Sequence, residues 1–89
     1  ANADVVLVPL SAGGGTKLKT IEAFAHRRPV ISTCEGVRGL TVKSDVHYLH
    51  AQTGREFAQA IARLMNDLAL SDRVSRAGNA FYFQHHRLA

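Results

Sequence analysis

The sequence predicts an α/β fold, namely part of a Rossmann-like parallel sheet of about three strands with flanking helices. Segments with strand and helix patterns follow one another in the order strand, helix, strand, strand, helix, helix, and this alternation is typical of a parallel sheet with right-handed crossovers. The first strand segment is also continuously apolar, as expected for a strand buried on both faces. Because three strands make a thin sheet, we expect residues 1–89 to form a single incomplete domain, half of a doubly wound one.

The first predicted strand spans residues 4–10. Pro9 has no N–H group to donate to a sheet, so the strand should end near it. The continuous apolar pattern predicts an interior strand, whose missing neighbours would come from residues upstream of Ala1 or from another chain. If no such neighbour is present, the unpaired edge should favour self-association.

A glycine-rich turn at residues 11–15 separates this strand from a helix that is predicted to begin near Thr16. Pro29 should end the helix at about residue 28. The apolar residues at helical spacing, expected to face the sheet, are Leu18, Ile21 and Ala25. The predicted last turn carries positive charges that complement the helix dipole: His26, Arg27 and Arg28.

Two further strands are predicted at residues 29–33 and 47–51, with a loop at 34–43 that contains at most one helical turn. Thr53 and Glu56 form a capping-box pattern before the next helix. The predicted apolar face of that helix consists of Phe57, Ala60, Ile61, Leu64 and Leu68. A last helix, capped by Ser71, is predicted to carry Val74, Ala77 and Phe81 on one face. The tail from His85 onwards shows no clear pattern.

Composition narrows the classes of partner. The net charge of +4 and the pI of about 9.9 favour an anionic partner, such as nucleic acid, anionic lipid or a phosphorylated small molecule. The basic residues are spread along the chain without interleaved aromatic residues, which argues against nucleic acid. No apolar run is long enough for a membrane span, and one cysteine fits a reducing compartment.

The glycine-rich turn should lie at the carboxyl end of the first strand, where open parallel sheets bind ligands. Gly13, Gly14 and Gly15 leave backbone amides accessible to an anion, and the following helix points its positive end at the same place. Lys17 and Lys19 lie at the end of the helix where cations are disfavoured unless an anion is present. The order of residues matches neither a P-loop nor a dinucleotide fingerprint. A flexible loop chosen for turn geometry is the alternative.

Glu22 is the second candidate. It lies about two turns into the predicted helix, at the edge of the face that packs on the sheet. Its carboxylate there could accept two hydrogen bonds from a vicinal diol such as ribose. The alternative is an ordinary solvated glutamate.

Taken together, these segments closely resemble the group 1 (family 4) retaining glycosyltransferases. The resemblance extends over essentially the whole chain and is most specific over residues 8–33. The segments that carry it are VPL at residues 8–10, GGGTKLK at 13–19, EAFA at 22–25 and RPVIST at 28–33.

The resemblance implies a GT-B enzyme with two Rossmann-like domains, of which this chain would be the C-terminal half of the domain that holds the nucleotide-sugar donor. By resemblance, Glu22 matches the second Glu of the family's Glu-x7-Glu motif, which binds the ribose hydroxyls. The amides around Gly14, Gly15 and Thr16 match the turn that contacts the donor's diphosphate and sugar. The implied reaction transfers a sugar from a nucleoside diphosphate sugar with retained configuration and needs no essential metal. The expected location is the cytoplasm, or the membrane periphery for the full-length protein.

The chain departs from the family pattern at three points. Gly14 occupies the place of the first motif Glu, Arg27 replaces a helix-ending Gly, and the upstream basic residues that grip the diphosphate are absent. The resemblance therefore assigns no catalytic residue within this chain. The first departure favours an alternative, a non-catalytic nucleotide-binding or assembly module with the same half-fold.

Other reactive side chains are assigned no role. His47 and His50 lie three apart on a predicted strand, so they should point to opposite faces and make a poor metal pair. His85 and His86 are expected to belong to a disordered tail. Cys34 is predicted to be a small apolar residue, and Glu35 a solvated loop residue near the ligand edge.

Overall fold

The computed structural model describes residues 5–9 and 16–86 of the chain. In chain order, the elements are strand β1 Val6–Val8, helix α1 Thr16–Ala25, strand β2 Val30–Ser32, a short 3₁₀ helix Cys34–Val37, strand β3 Leu49–His50, helix α2 Gly54–Asn66 and helix α3 Leu68–His86. The strands of the described residues form one sheet in the order β1-β2-β3, and both neighbouring pairs are parallel. The predicted fold class, a small parallel α/β sheet with flanking helices, is confirmed.

Strand β2 is the centre of this sheet. Val30 is paired with Val6 of β1, and Ile31 is paired with Leu49 of β3. Within the described residues β1 therefore has a neighbour on one side only. Leu7 is 38% exposed, so β1 is not buried on both faces as its apolar run predicts.

The core consists of two clusters, one on each face of the sheet. Val30 and Ile31 belong to different clusters because successive side chains of a strand point to opposite faces. The first cluster is formed by Val8, Ala23, Phe24, Val30, Val37, Tyr48 and Phe81. The second is formed by Ile31, Leu49, Ala51, Ala60, Leu64, Leu70 and Val74. Helix α1 thus packs on one face of the sheet and α2 on the other, while α3 contributes to both clusters.

Helix α1 ends at Ala25, earlier than predicted, and the three basic residues that follow it form its C-terminal cap rather than its last turn. Arg27 adopts a left-handed backbone conformation with φ of 58°. Its N–H donates to the Phe24 carbonyl at 3.0 Å, and the Arg28 N–H donates to the Ala23 carbonyl at 3.0 Å. This pair of bonds is a Schellman motif with Arg27 at the position that glycine usually occupies. Pro29 follows, as the sequence predicts.

The capping box of α2 is confirmed. Thr53 Oγ1 accepts a hydrogen bond from the Glu56 N–H at 3.1 Å, and Glu56 Oε1 accepts from the Thr53 N–H at 3.3 Å. The predicted apolar face is also correct as far as Leu64. Leu68 is 73% exposed, however, because α2 ends at Asn66 and Leu68 begins the next helix.

Helix α3 begins three residues before the predicted cap, Ser71. Asp67 caps it instead, since its Oδ1 accepts a hydrogen bond from the Leu70 N–H at 3.0 Å. Val74 and Phe81 are buried on one face, as predicted. The helix continues to His86, so the expected disordered tail is wrong for His85 and His86.

Candidate functional site

The candidate site lies at the carboxyl edge of the sheet. Parallel pairing of β1 and β2 brings the carboxyl ends of both strands to the same edge, where the Thr33 N–H donates to the Val8 carbonyl at 3.3 Å. Helix α1 begins at this edge as well, because Thr20 Oγ1 donates to the carbonyl of Gly36, in the 3₁₀ helix that follows β2, at 2.8 Å. Open parallel sheets bind ligands at such an edge, and the start of a helix favours an anion.

Several predicted site residues lie outside the described part of the chain. These are Gly13, Gly14 and Gly15. The backbone of Thr16 and Lys17 forms the first turn of α1, while their side chains also fall outside the described set. The predicted contacts of these residues with a diphosphate stay predictions.

Lys19 and Glu22 are both exposed on α1, and the structure brings them together around one cavity. The cavity has a volume of about 270 Å³ and lies against Val6, the first residue of β1, so it is at the amino end of that strand rather than at the carboxyl edge. It is lined by Val6, Lys19, Glu22, Ala23, His26 and Arg28. The Glu22 carboxylate makes no ion pair with any described residue. A carboxylate beside two basic side chains is therefore available to a ligand at this cavity.

The face of α1 that packs on the sheet differs from the predicted one. Thr20, Ala23 and Phe24 are buried, with exposed fractions of 0%, 4% and 1%, whereas Leu18 is 68% exposed. Sequence reasoning missed Thr20 because its hydroxyl is satisfied by Gly36, a residue distant in sequence that no local pattern identifies. Successive residues of a helix are about 100° apart, so Lys19 and His26 lie between Ala23 and Glu22 around the helix. Glu22 is therefore on the exposed side of α1 and not, as expected from a different packing face, at the edge of the buried face.

Three polar residues follow β2 at the carboxyl edge. Thr33 is fully buried, and its hydroxyl has no hydrogen-bond partner in the part of the chain that the structure describes. Cys34 is exposed. Glu35 is half-buried and pairs with Arg38 through a 2.7 Å contact between Oε2 and Nη2. This ion pair joins Glu35, within the 3₁₀ helix, to Arg38, the residue that follows the helix.

His47 precedes β3 and is half-buried. Its Nδ1 accepts a hydrogen bond from the Lys43 N–H at 3.0 Å, and its ring meets the Phe81 ring edge-to-face with centroids 6.0 Å apart. Burial, and secondly the positive charge of Lys43, lower the pKa of His47 from its usual value of 6.5. His50 is exposed on β3. Across residues 5–9 and 16–86, no group of three or more His, Cys, Asp or Glu side chains is placed to hold a metal ion.

A larger cavity, of about 460 Å³, lies between α2 and α3. Its lining comes from the last turns of α2 and the first turns of α3, and includes Arg63, Asp67 and Arg73. No strand contributes to it, and none of the predicted site residues lines it. We therefore place the candidate site at the carboxyl edge and along the neighbouring exposed part of α1, although the cavity that Lys19 and Glu22 line lies nearer the amino end of β1. Within the same described ranges, no helix is long and apolar enough to cross a membrane.

Comparison with known proteins agrees with the fold. The family model described as glycosyl transferases group 1 matches residues 1–67. The fold is similar to the 1.35 Å crystal structure of the C-terminal domain of a glycosyl transferase group 1 family protein (LpcC) from Francisella tularensis, with a TM-score of 0.85 and 20% sequence identity. That match covers 97% of this chain and 45% of the other, so the chain spans less than half the length of the structure that it matches. No curated protein matches the sequence. On the family match, which extends over most of its length, the chain belongs to the group 1 glycosyl transferases.

Proposed function

We propose that this chain supplies part of the donor site of an enzyme that transfers a sugar from a nucleoside diphosphate sugar to an acceptor, with retention of the anomeric configuration. Membership of the family supports sugar transfer. The observation that carries the donor role is the Glu22 carboxylate, which is exposed, unpaired among the described residues and placed on the cavity beside β1. The likeness to the LpcC domain supports the fold that such a site requires.

In this proposal, Glu22 binds the ribose of the donor. An ionised carboxylate has two oxygens and accepts hydrogen bonds from both hydroxyls of a vicinal diol. Such charge-assisted bonds are stronger than bonds between neutral groups. Lys19 and Arg28, on the same cavity, attract an anionic ligand without occupying the carboxylate.

The diphosphate is proposed to bind at the turn before α1. The backbone amides of Gly13, Gly14, Gly15 and Thr16 would donate to its oxygens, and Lys17 and Lys19 would supply positive charge. During the reaction the bond between the anomeric carbon and a diphosphate oxygen breaks, and a bond to the acceptor oxygen forms. The diphosphate leaves with an added negative charge, which amide dipoles and lysines stabilise.

The remaining parts of the enzyme are proposed to lie elsewhere in a longer polypeptide. The matched structure is more than twice the length of this chain, which supports a role as one half of a donor domain. We expect the acceptor site and any general base in a separate N-terminal domain, and no sugar transfer by this chain alone. No essential metal is expected, and the proposed location is the cytoplasm or the membrane periphery.

A second candidate function is a non-catalytic module that binds a nucleotide or assists assembly. Gly14 favours it, because this residue stands where the resembled family carries the first Glu of its motif. Such a module would keep the fold without turning over a donor.

The proposal is tested by calorimetric titration of the full-length polypeptide with UDP-glucose, UDP-N-acetylglucosamine, GDP-mannose and ADP-glucose. We expect selective binding of one base. Glu22→Gln should weaken that binding by about tenfold or more, because two charge-assisted bonds are lost. Assay of sugar transfer from the selected donor then separates an enzyme from a non-catalytic module.

Asp72→Asn is the matched control. Asp72 is an exposed carboxylate on α3 that pairs with Arg76 at 2.9 Å, and it lines neither the cavity nor the carboxyl edge. This variant should bind the donor as the wild type does. If the Glu22→Gln variant bound the donor as tightly as the wild type, Glu22 would not belong to the site. If the wild type bound none of the four donors, the donor role would be contradicted.

A further inference from the structure

Thr33 carries a buried hydroxyl with no visible structural purpose. Among the described residues, its Oγ1 is the one buried side-chain oxygen or nitrogen that lacks a hydrogen-bond partner. Thr20, which is equally buried, differs in this respect because its hydroxyl donates to the Gly36 carbonyl at 2.8 Å. Buried polar groups in folded proteins are nearly always paired, so an orphaned hydroxyl requires an explanation.

The backbone of Thr33 is fully engaged, which fixes the position of the side chain. Its N–H donates to the Val8 carbonyl at the end of β1. Its carbonyl accepts from the Ser32 hydroxyl at 2.7 Å and from the Gly36 N–H at 3.1 Å. Thr33 therefore lies where the carboxyl ends of two neighbouring parallel strands meet, the edge at which such sheets bind ligands.

Stability alone favours valine over threonine at this position. Both residues are β-branched and similar in shape, and both suit the end of a strand. The hydroxyl adds a desolvation cost that no hydrogen bond offsets. A group that costs stability and lies at a ligand-binding edge is expected to have its partner in the ligand.

We propose that Thr33 donates its hydroxyl proton to an oxygen of the donor's diphosphate, a contact that rests on the function proposed above. A hydroxyl bond to a charged oxygen is stronger than one to a neutral oxygen, and this gain offsets the cost of burial. Because Thr33 is fully buried in the structure, a ligand reaches the hydroxyl only after a local rearrangement at the carboxyl edge. Side-chain adjustments of this kind are common on binding.

The test uses the full-length polypeptide and titrates it with UDP, GDP, ADP, CDP and TDP by calorimetry. For the diphosphate that binds the wild type, Thr33→Val should raise the Kd by about tenfold or more, since a bond to a charged group is lost. Thr33→Ser should bind within about twofold of the wild type, because it keeps the hydroxyl. Thr33→Ala and Thr33→Ser form a second pair that differs in the hydroxyl alone, should the valine variant fail to fold.

Thermal unfolding separates this role from a structural one. Thr33→Val should unfold at the same temperature as the wild type or at a higher one, whereas the control Thr20→Val, which breaks the bond to Gly36, should unfold at a lower one. Equal diphosphate affinity of the hydroxyl and non-hydroxyl variants would overturn the inference and leave the donor site standing. A clear loss of stability in Thr33→Val would also overturn it. Absence of binding by the wild type would overturn the donor site and this contact together.

Discussion

Gly78 of α3 lies directly against the ring of Phe24 in α1. A Cβ atom added at Gly78 would lie 2.5 Å from Phe24 Cδ1 and 2.8 Å from Cε1, well inside contact distance. The next residue, Asn79, donates from Nδ2 to the Phe24 carbonyl at 3.0 Å and to the Ala25 carbonyl at 3.3 Å. Helix α3 therefore both packs on the end of α1 and satisfies its terminal carbonyl groups, and this fixes the helix that carries Lys19 and Glu22.

Gly78→Ala is expected to lower the free energy of unfolding by up to about 2 kcal/mol. Alanine improves helix propensity by about 1 kcal/mol, but overpacking a filled core costs about 1–3 kcal/mol. Phe24 is 1% exposed and packs edge-to-face on Phe81 with centroids 6.0 Å apart, so its ring has little freedom to move away. Urea unfolding measures the change.

Gly54→Ala is the matched control for this substitution. Gly54 is also helical, as the first residue of α2, and an added Cβ would meet no atom within 4 Å. This variant should be as stable as the wild type or slightly more stable. If both alanine variants gained stability, the close approach of α3 to Phe24 would be contradicted.

The sequence identifies the elements that local signals determine. Pro9 and Pro29 mark the ends of β1 and α1, and the pair Thr53 and Glu56 marks the start of α2 through bonds between near neighbours. The local apolar pattern also predicts the third strand, at residues 47–51, and the structure has it at Leu49–His50.

Features that depend on contacts between residues distant in sequence could not be predicted from the sequence. Thr20 is buried because Gly36 accepts its hydroxyl, and Gly78 is required because Phe24 lies against it. Neither partner is close in sequence. The same contrast applies to the candidate site. Local pattern and resemblance single out Glu22 as a candidate, whereas the unpaired hydroxyl of Thr33 is recognised only from the three-dimensional structure.

Arg27→Gly is expected to stabilise the chain by about 0.5–1 kcal/mol. The left-handed conformation of Arg27 costs a non-glycine residue about 1–2 kcal/mol, and the greater freedom of glycine in the unfolded chain offsets part of the gain. The adjacent Arg28 is the control, because its φ is not positive. Arg28→Gly therefore relieves no strain and only increases the conformational entropy of the unfolded chain, which lowers stability. Chemical denaturation should give Arg27→Gly a higher free energy of unfolding than the wild type and Arg28→Gly a lower one. The reverse order would contradict the Schellman geometry.

Stability should fall as the solution is acidified through the titration of His47. The pKa of His47 is lowered in the folded chain, mainly by burial and then by Lys43, so the unfolded chain binds more protons between the folded pKa and 6.5. The contribution of neutral His47 is therefore fully present above about pH 6.5 and is lost as the pH falls through the folded pKa. Protonation of Nδ1 also breaks its bond from the Lys43 N–H.

Unfolding free energies measured from pH 8 to pH 5 test this dependence. His47→Gln removes the titrating group and should flatten the profile. The control variant is His50→Gln, which removes an exposed histidine instead. An unchanged profile in the His47 variant would show that other groups cause the acid sensitivity.

The isolated 89-residue chain is expected either to self-associate through β1 or to be only marginally stable. Within the described residues, β1 is paired on one side alone, and an unpaired strand edge recruits another strand. Sedimentation velocity should then show a weight-average mass that rises with concentration, and Leu7→Lys should reduce the association by placing a charge on the edge strand. The control is Leu68→Lys, since Leu68 is 73% exposed at the start of α3, away from the sheet. A monodisperse monomer that unfolds cooperatively at every concentration would refute the prediction and show that β1 needs no further neighbour.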